Sequence, residues 1–409
     1  MKSYSQLLNP NGKEVLGFLS FGNDFQLKAR IGWQGLTRKE YREYGDYKLV
    51  TGTDFTCNNR IDFDNCVYVE KERYDQDEYI QLREGDVLIT KDGTLGKIAI
   101  IDNLPMPATL NGGVFVVRDL ENRILPKFLM YYLTSFNFTD WMKHNHTQGS
   151  IQHLTQKLLV KFQIPILPRE EQEQIVCILD AFIAIIENLK QQLQLRRKQY
   201  EYYRNQLFTF EGEKGVVYKK LCDICDIRGR IGFRGYTRND QVNKGEGALT
   251  LTATNIKDGK LDFSNNTYIS WAKYEESPEI MVKNGDIIVC QRGSIGKIAL
   301  IEELEEEATI NPQLLLMKDF KISSKYAITY FLSDYFQNDL RKIIGQGTIQ
   351  MISQKDFGNL VIPLPSVEKQ NDIIKSLSVF EASIENLNQQ LILREKQYEY
   401  YKDRLLTFK

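Results

Sequence analysis

The chain has 409 residues, with 53 Lys and Arg against 54 Asp and Glu and a formal net charge of −1. At 42% hydrophobic and 26% charged, the composition is that of a globular protein of two or three domains and excludes a disordered or collagen-like chain. With no overall basic excess, any nucleic-acid surface must be local. Six unevenly spaced cysteines form no disulfide framework and point to a reducing cytoplasm. The N-terminus lacks a signal-peptide core, and the most apolar window, Ile175 to Ile186, is interrupted by Asp180 and too short to span a membrane.

Residues 1–162 mix short β-rich runs with turns and short helices. Lys28, Arg30 and Arg38 come first, with Lys39 and Arg42 close by. Gly85–Ile101 (GDVLITKDGTLGKIAII) reads as strand, tight turn and strand, with strands over Val87–Thr90 and Lys97–Ile101. Pro126–Thr134 reads as a short helix. The absence of long helices between the strands favours an α+β class over a doubly wound sheet.

Residues 163–210 read as one long helix starting after Pro168, with Glu170 and Glu171 in its first turn. Ile175, Leu179, Phe182, Ile186, Leu189, Leu193, Arg196, Tyr200, Tyr203 and Leu207 alternate at spacings of 4 and 3, the pattern of a coiled-coil seam. Arg196 interrupts the stripe, either snorkelling outward or fixing the register.

Residues 211–360 then repeat the first globule. IGFRGYTR at Ile231–Arg238 matches IGWQGLTR at Ile31–Arg38, and GDIIVCQRGSIGKIALI at Gly285–Ile301 matches Gly85–Ile101, both displaced by 200. Strands are expected over Ile287–Cys290 and Lys297–Ile301. Further on, GTIQMISQ at Gly347–Gln354 matches GSIQHLTQ at Gly149–Gln156. By contrast, 39–84 and 239–284 share very little, so a kept framework carries divergent inserts. Residues 361–409 give the second helix, whose seam is Ile373, Leu377, Phe380, Ile384, Leu387, Leu391, Arg394, Tyr398, Tyr401 and Leu405. Ile185–Phe210 and Ser383–Phe408 share 18 of 26 positions. If the two helices pair within the chain, an antiparallel arrangement lets a pseudo-twofold axis relate the repeats. The alternative is two separate amphipathic helices, each packed on its own globule.

Enzyme motifs are absent. GTLGK and GSIGK lack the spacing and the Ser/Thr of a phosphate loop, since Ile98 and Ile298 follow, and no GxGxxG, HExxH or GxSxG stands in the required context. His144, His146 and His153 have repeat counterparts Lys342, Ile344 and Met351, which cannot ligate a metal, so no metal site is expected. Cys222-x-x-Cys225 has no second pair and reads as two core thiols.

Basic residues cluster instead. Arg228, Arg230, Arg234 and Arg238 fall in eleven residues without an acid, and Lys28, Arg30 and Arg38 occupy three equivalent positions. This recurrence beside glycines points to phosphate contacts. Positions that differ on kept turns are candidates for reading bases: Lys91 and Asp92 against Gln291 and Arg292, and Thr147-Gln148 against Gly345-Gln346.

The whole chain resembles the specificity subunit of a type I restriction–modification system. The resemblance rests on the order of variable globule, helix, variable globule, helix, on the Gly-Asp…Gly-x-x-Gly-Lys segment, and on the tails KQYEYYRNQLFTF and KQYEYYKDRLLTF. It implies two pseudo-symmetric target recognition domains, 1–162 and 211–360, separated by two long spacer helices, 163–210 and 361–409, forming an antiparallel coiled coil. Each domain would read one half of a bipartite, asymmetric site in double-stranded DNA, and the helices would set the gap. It further implies no catalysis and no cofactor in this chain. The partners would be two methyltransferase subunits binding S-adenosylmethionine and nuclease/translocase subunits using ATP, in the cytoplasm and away from membrane. A specificity subunit of a related bipartite-site system, or a coiled-coil adaptor that binds no DNA, remains an alternative.

Overall fold

The structure is a computed structural model and describes residues 4–9, 13–32, 35–92, 95–145, 154–345 and 350–408. Two compact units are formed by residues 1–190 with 390–409, and by residues 191–389. Each long helix therefore gives one half to each unit, whereas the four-part division by sequence treats the helices as separate blocks.

In the first unit Phe25–Ala29, Val114–Asp119, Val87–Thr90 and Ile98–Ile100 form a four-stranded antiparallel sheet in that order. All of Val87–Thr90 is buried because the sheet divides two cores. Val87, Ile89, Phe115 and Val117 face the helices, while Leu88, Val114 and Val116 face the second sheet. Side chains alternate between the faces of a strand, so a strand covered on both reads as an unbroken apolar run. In the second unit Asp226–Gly229, Leu314–Lys318, Ile287–Cys290 and Ile298–Leu300 repeat this order and the same division of cores. The expected hairpins are thus present, one residue shorter at each end of the second strand. Gly85 and Gly285 open them at φ +87° and +95°, a conformation that costs glycine nothing.

The divergent inserts hide a shared framework. Tyr47–Val50 pairs with Val67–Val69 and runs parallel to Ala108–Leu110, and Gly247–Leu251 pairs with Thr267–Ser270 and runs parallel to Ala308–Ile310. The second unit adds a short hairpin, Ile256–Lys257 with Lys260–Leu261, where the first has the single bridge Phe55–Ile61.

The long helices are Arg169–Leu207 and Val367–Leu406. Their seam residues divide into two kinds. Ile175, Leu179 and Leu405 lie in the core of the first unit, and Ile373 and Leu377 in that of the second, each at most 1% exposed. Burial of each contributes roughly 1.5–3 kcal/mol. Toward mid-helix the stripe is shallower. Ile186 and Leu189 are buried, Phe182, Leu193, Tyr200, Leu207, Ile384, Leu387, Leu391, Tyr398 and Tyr401 are half-buried, and Tyr203 is exposed. Here the helices pair antiparallel: Phe182 stacks on Tyr401 at 5.3 Å in the first unit, and Tyr203 meets Phe380 at 5.3 Å in the second. The seam expected from the spacing pairs the two helices, and its ends serve the globules as well: Ile175 and Leu179 share the first core with Leu405 of the other helix. Arg196 lies 5.9 Å over the Phe380 ring, so its stem packs while its charge stays near water; Arg394 is exposed and bonds Gln397. Asp180, the charge inside the apolar run, accepts from Lys127 Nζ (2.7 Å) and Tyr131 Oη (2.5 Å) and so ties the helix Pro126–Leu133 to the long one.

Lys13 closes the end of the second long helix. Its Nζ donates to the carbonyls of Arg404 (2.6 Å) and Thr407 (2.8 Å), groups a helix C-terminus leaves without partners. Burial pulls this amine down from 10.5 to about 8, against the opposing pull of Glu171. Between these values the unfolded chain binds more protons than the folded one, so this group adds stability as pH rises from about 8 toward 10.5. Urea unfolding of Lys13→Met against the parent across pH 7–10 should show that increment lost.

Burial separates the two thiols of the CxxC pair. Cys225 is a core thiol, but Cys222 is exposed, because it lies on the outer side of the short helix Leu221–Ile224. His144 bonds the Asp140 carbonyl (2.9 Å) within its own helix, and His146 and His153 lie outside the described residues.

Candidate nucleic-acid interface

The arginine-rich segment of each unit leaves the sheet edge strand and enters a short 3-10 turn, Arg38–Glu40 or Arg238–Asp240. Thr37 and Thr237 cap these turns, and Glu40 and Asp240 close them by accepting from the threonine backbone amides at 2.8 and 2.7 Å. Arg38 and Arg238 are exposed there, and neither side chain forms an ion pair with another described residue.

The other basic candidates separate by burial. Lys28 is exposed on its strand, its Nζ 5.3 Å over the Tyr79 ring. Arg228 is exposed and paired with Asp226 (2.8 Å), and Arg234 is one-third exposed and paired with Glu279 (3.3 Å). Arg30 and Arg230, expected at the phosphates, are instead 2% and 7% exposed. Arg30 donates to the Leu110 carbonyl (2.8 Å), Gln76 Oε1 (2.8 Å), the Arg73 carbonyl (3.1 Å) and Thr109 Oγ1 (3.2 Å). Arg230 repeats the pattern on the Ile310 carbonyl (3.2 Å), Thr309 Oγ1 (3.1 Å) and the Arg234 carbonyl (3.3 Å). Burial draws both guanidinium groups below their ordinary range. Most of the donors of each guanidinium are spent on acceptors of its own unit and little of either group reaches solvent, so these two arginines are internal posts that fix where the turn leaves the sheet.

The base-reading candidates gather beside the same strands. Lys91 and Asp92 line a cleft of about 380 Å³ with Ala29, Arg30 and Ile31. Lys91 is half-buried over the Phe115 ring, while Asp92 is exposed. In the second unit Gln291 spends its amide on the Pro312 (3.1 Å) and Leu314 (3.3 Å) carbonyls, and exposed Arg292 bonds Met351 Sδ (3.1 Å). Thr147, Gln148 and Gln346 lie outside the described residues.

The kept Gln156 and Gln354, not singled out from the sequence, donate to the Leu27 (3.1 Å) and Ile227 (2.7 Å) carbonyls. Leu154 and Ile352 amides bond the Lys91 and Gln291 carbonyls at 3.3 and 3.0 Å. These bonds join arginine strand, variable turn and the segment at 154–156 or 352–354 into one surface. Their signal was the repeat displaced by 198 residues. Among the described residues no cluster of three His, Cys, Asp or Glu could hold a metal, and no helix is long and apolar enough to cross a membrane.

Comparison with known proteins agrees with this duplicated arrangement. The chain is similar to a specificity subunit of an Escherichia coli type I restriction enzyme, 29% identical over 303 residues covering 70% of this chain and 72% of that protein. It is also similar to the MjaVIII specificity subunit of Methanocaldococcus jannaschii, 25% identical over 355 residues covering 80% and 79%. In fold it resembles the crystal structure of a type I restriction-modification S subunit from M. genitalium, with TM-score 0.53, 15% identity and 95% of both chains covered. A structure reported for type I system assembly and conformational transition gives TM-score 0.61, 17% identity and coverage of 95% and 97%. The model of the type I restriction modification DNA specificity domain matches residues 34–195 and again 213–394. Duplicated α+β units, paired helices and this double match together show that the chain belongs to the type I restriction modification DNA specificity domain family.

Proposed function

We propose that the chain is the DNA-specificity subunit of a type I restriction–modification complex, each unit reading one half of a bipartite, asymmetric site. The observation that carries this is the equivalence of Arg38 and Arg238, two exposed cations on matching turns, each beside loops that differ between the repeats. Phosphate contacts from these turns and from Lys28 and Arg228 supply affinity without sequence preference. Lys91, Asp92, Arg292 and the turns around them supply base discrimination. The long helices set the spacing of the half-sites and dock two methyltransferase subunits.

Catalysis on this reading belongs to the partners. The methyltransferase subunits bind S-adenosylmethionine, the nuclease/translocase subunits use ATP, and the assembly works in the cytoplasm. Supporting this are the missing catalytic motifs and the likeness to proteins named as specificity subunits. Mapping methylated sites in the genome of a host carrying the chain tests it: a two-part, asymmetric motif that vanishes on deletion of the chain is expected. Arg38→Ala and Arg238→Ala should each weaken binding to all sequences and flatten the dependence of log K on log salt by about one unit. A change limited to one base position would place that arginine among the base readers.

A further inference from the structure

The acid two residues beyond each exposed arginine is out of place on a surface that meets phosphates. A carboxylate there repels the DNA backbone, yet both units keep one, Glu40 and Asp240. One carboxylate oxygen of each is engaged by its own turn. Glu40 Oε2 accepts from the Thr37 amide (2.8 Å) and hydroxyl (2.9 Å), and Asp240 Oδ2 accepts from the Thr237 amide (2.7 Å) and hydroxyl (3.0 Å). Glu40 Oε1 also accepts from Arg73 Nε (2.7 Å), on the short insert helix Lys71–Tyr74. In the second unit the matching helix Trp271–Glu275 carries Lys273, whose charge acts on Asp240.

These contacts tie each turn to its unit. The Arg73 carbonyl accepts from buried Arg30, so framework, insert and turn form one chain of bonds: Arg30, Arg73, Glu40, Thr37. The Thr37 amide and then Arg73 hold the Glu40 carboxyl down at about 2, so the acid is charged at every working pH. The geometry points to Glu40 and Asp240 as positioning residues, each closing the turn that presents Arg38 or Arg238 to a DNA phosphate. An acid on the contact face then strengthens binding instead of opposing it. This rests on the DNA-reading function above and adds how its cations are held in place.

The test uses the full chain assembled with its methyltransferase subunits, titrated with a duplex carrying the mapped site at several salt concentrations. Glu40→Ala removes a negative charge and is nevertheless expected to weaken binding about fivefold, the scale of a lost cap, and to flatten the salt slope by about one unit. Glu40→Gln, which keeps an acceptor for the Thr37 amide, should recover most of the affinity. The double variant Glu40→Ala/Arg38→Ala should bind no more weakly than Arg38→Ala alone. Asp240→Ala repeats the experiment in the second unit should the first unit fail to fold. Tighter binding of Glu40→Ala with an unchanged slope, or a loss additive with Arg38→Ala, would overturn the positioning role. Absence of site-specific binding by the parental complex overturns instead the DNA-reading function.

Discussion

Arg30→Met is expected to destabilise the first unit by about 3 kcal/mol, with Arg230→Met acting in the same direction on the second. Methionine fills most of the space, but it leaves the Leu110 and Arg73 carbonyls, Thr109 and Gln76 without their donor. Each buried polar group so stranded costs roughly 1–3 kcal/mol, and relief from burying a charge offsets part of the sum. Chemical denaturation of the isolated variant measures this directly. Exposed Arg38→Ala is the control: its stability should stay within about 0.5 kcal/mol of the parent while its salt slope flattens. If Arg30→Met kept parental stability and lost salt slope, the buried-post assignment would fail.

Removing one heptad from each long helix, residues 189–195 with 388–394, should shorten the preferred gap between half-sites by about three base pairs. The deletion respects the antiparallel register in which Phe182 meets Tyr401 and Tyr203 meets Phe380. Seven helical residues span about 10 Å, or about three steps of a duplex. Those steps also rotate one half-site by about 100° relative to the other, so the parental site cannot be served by a small bend. Methylome sequencing of cells carrying the variant checks this. An unchanged motif would remove the helices from the role of setting the spacing.

The two expected hairpins are found in place, because Gly-Asp ahead of two β-rich runs separated by a short glycine-containing segment is a local instruction. The helices were equally legible in extent, since a 4-3 stripe needs no tertiary knowledge to recognise. What that stripe packs against was not legible: Ile175 and Phe182 look alike in the pattern, but only Ile175 is also part of a globule core. The inserts concealed their common strands for a related reason. Val50 and Leu251 hold equivalent places beside Leu110 and Ile310 and both are fully buried, yet the residues around them differ because a buried position asks for bulk that fits and leaves the turns free.

Sequence by itself determined the duplication, the helices, the turn hairpins and the set of basic residues that recur at a displacement of 200. Only the tertiary structure decided which of those cations face solvent. Arg30 and Arg38 are indistinguishable in a basic run, but one is itself buried against four acceptors of its unit and the other sits on a capped turn in water. A guanidinium's role depends on what surrounds its five donors, and partners drawn from residues 73 to 110 are brought there by the fold alone.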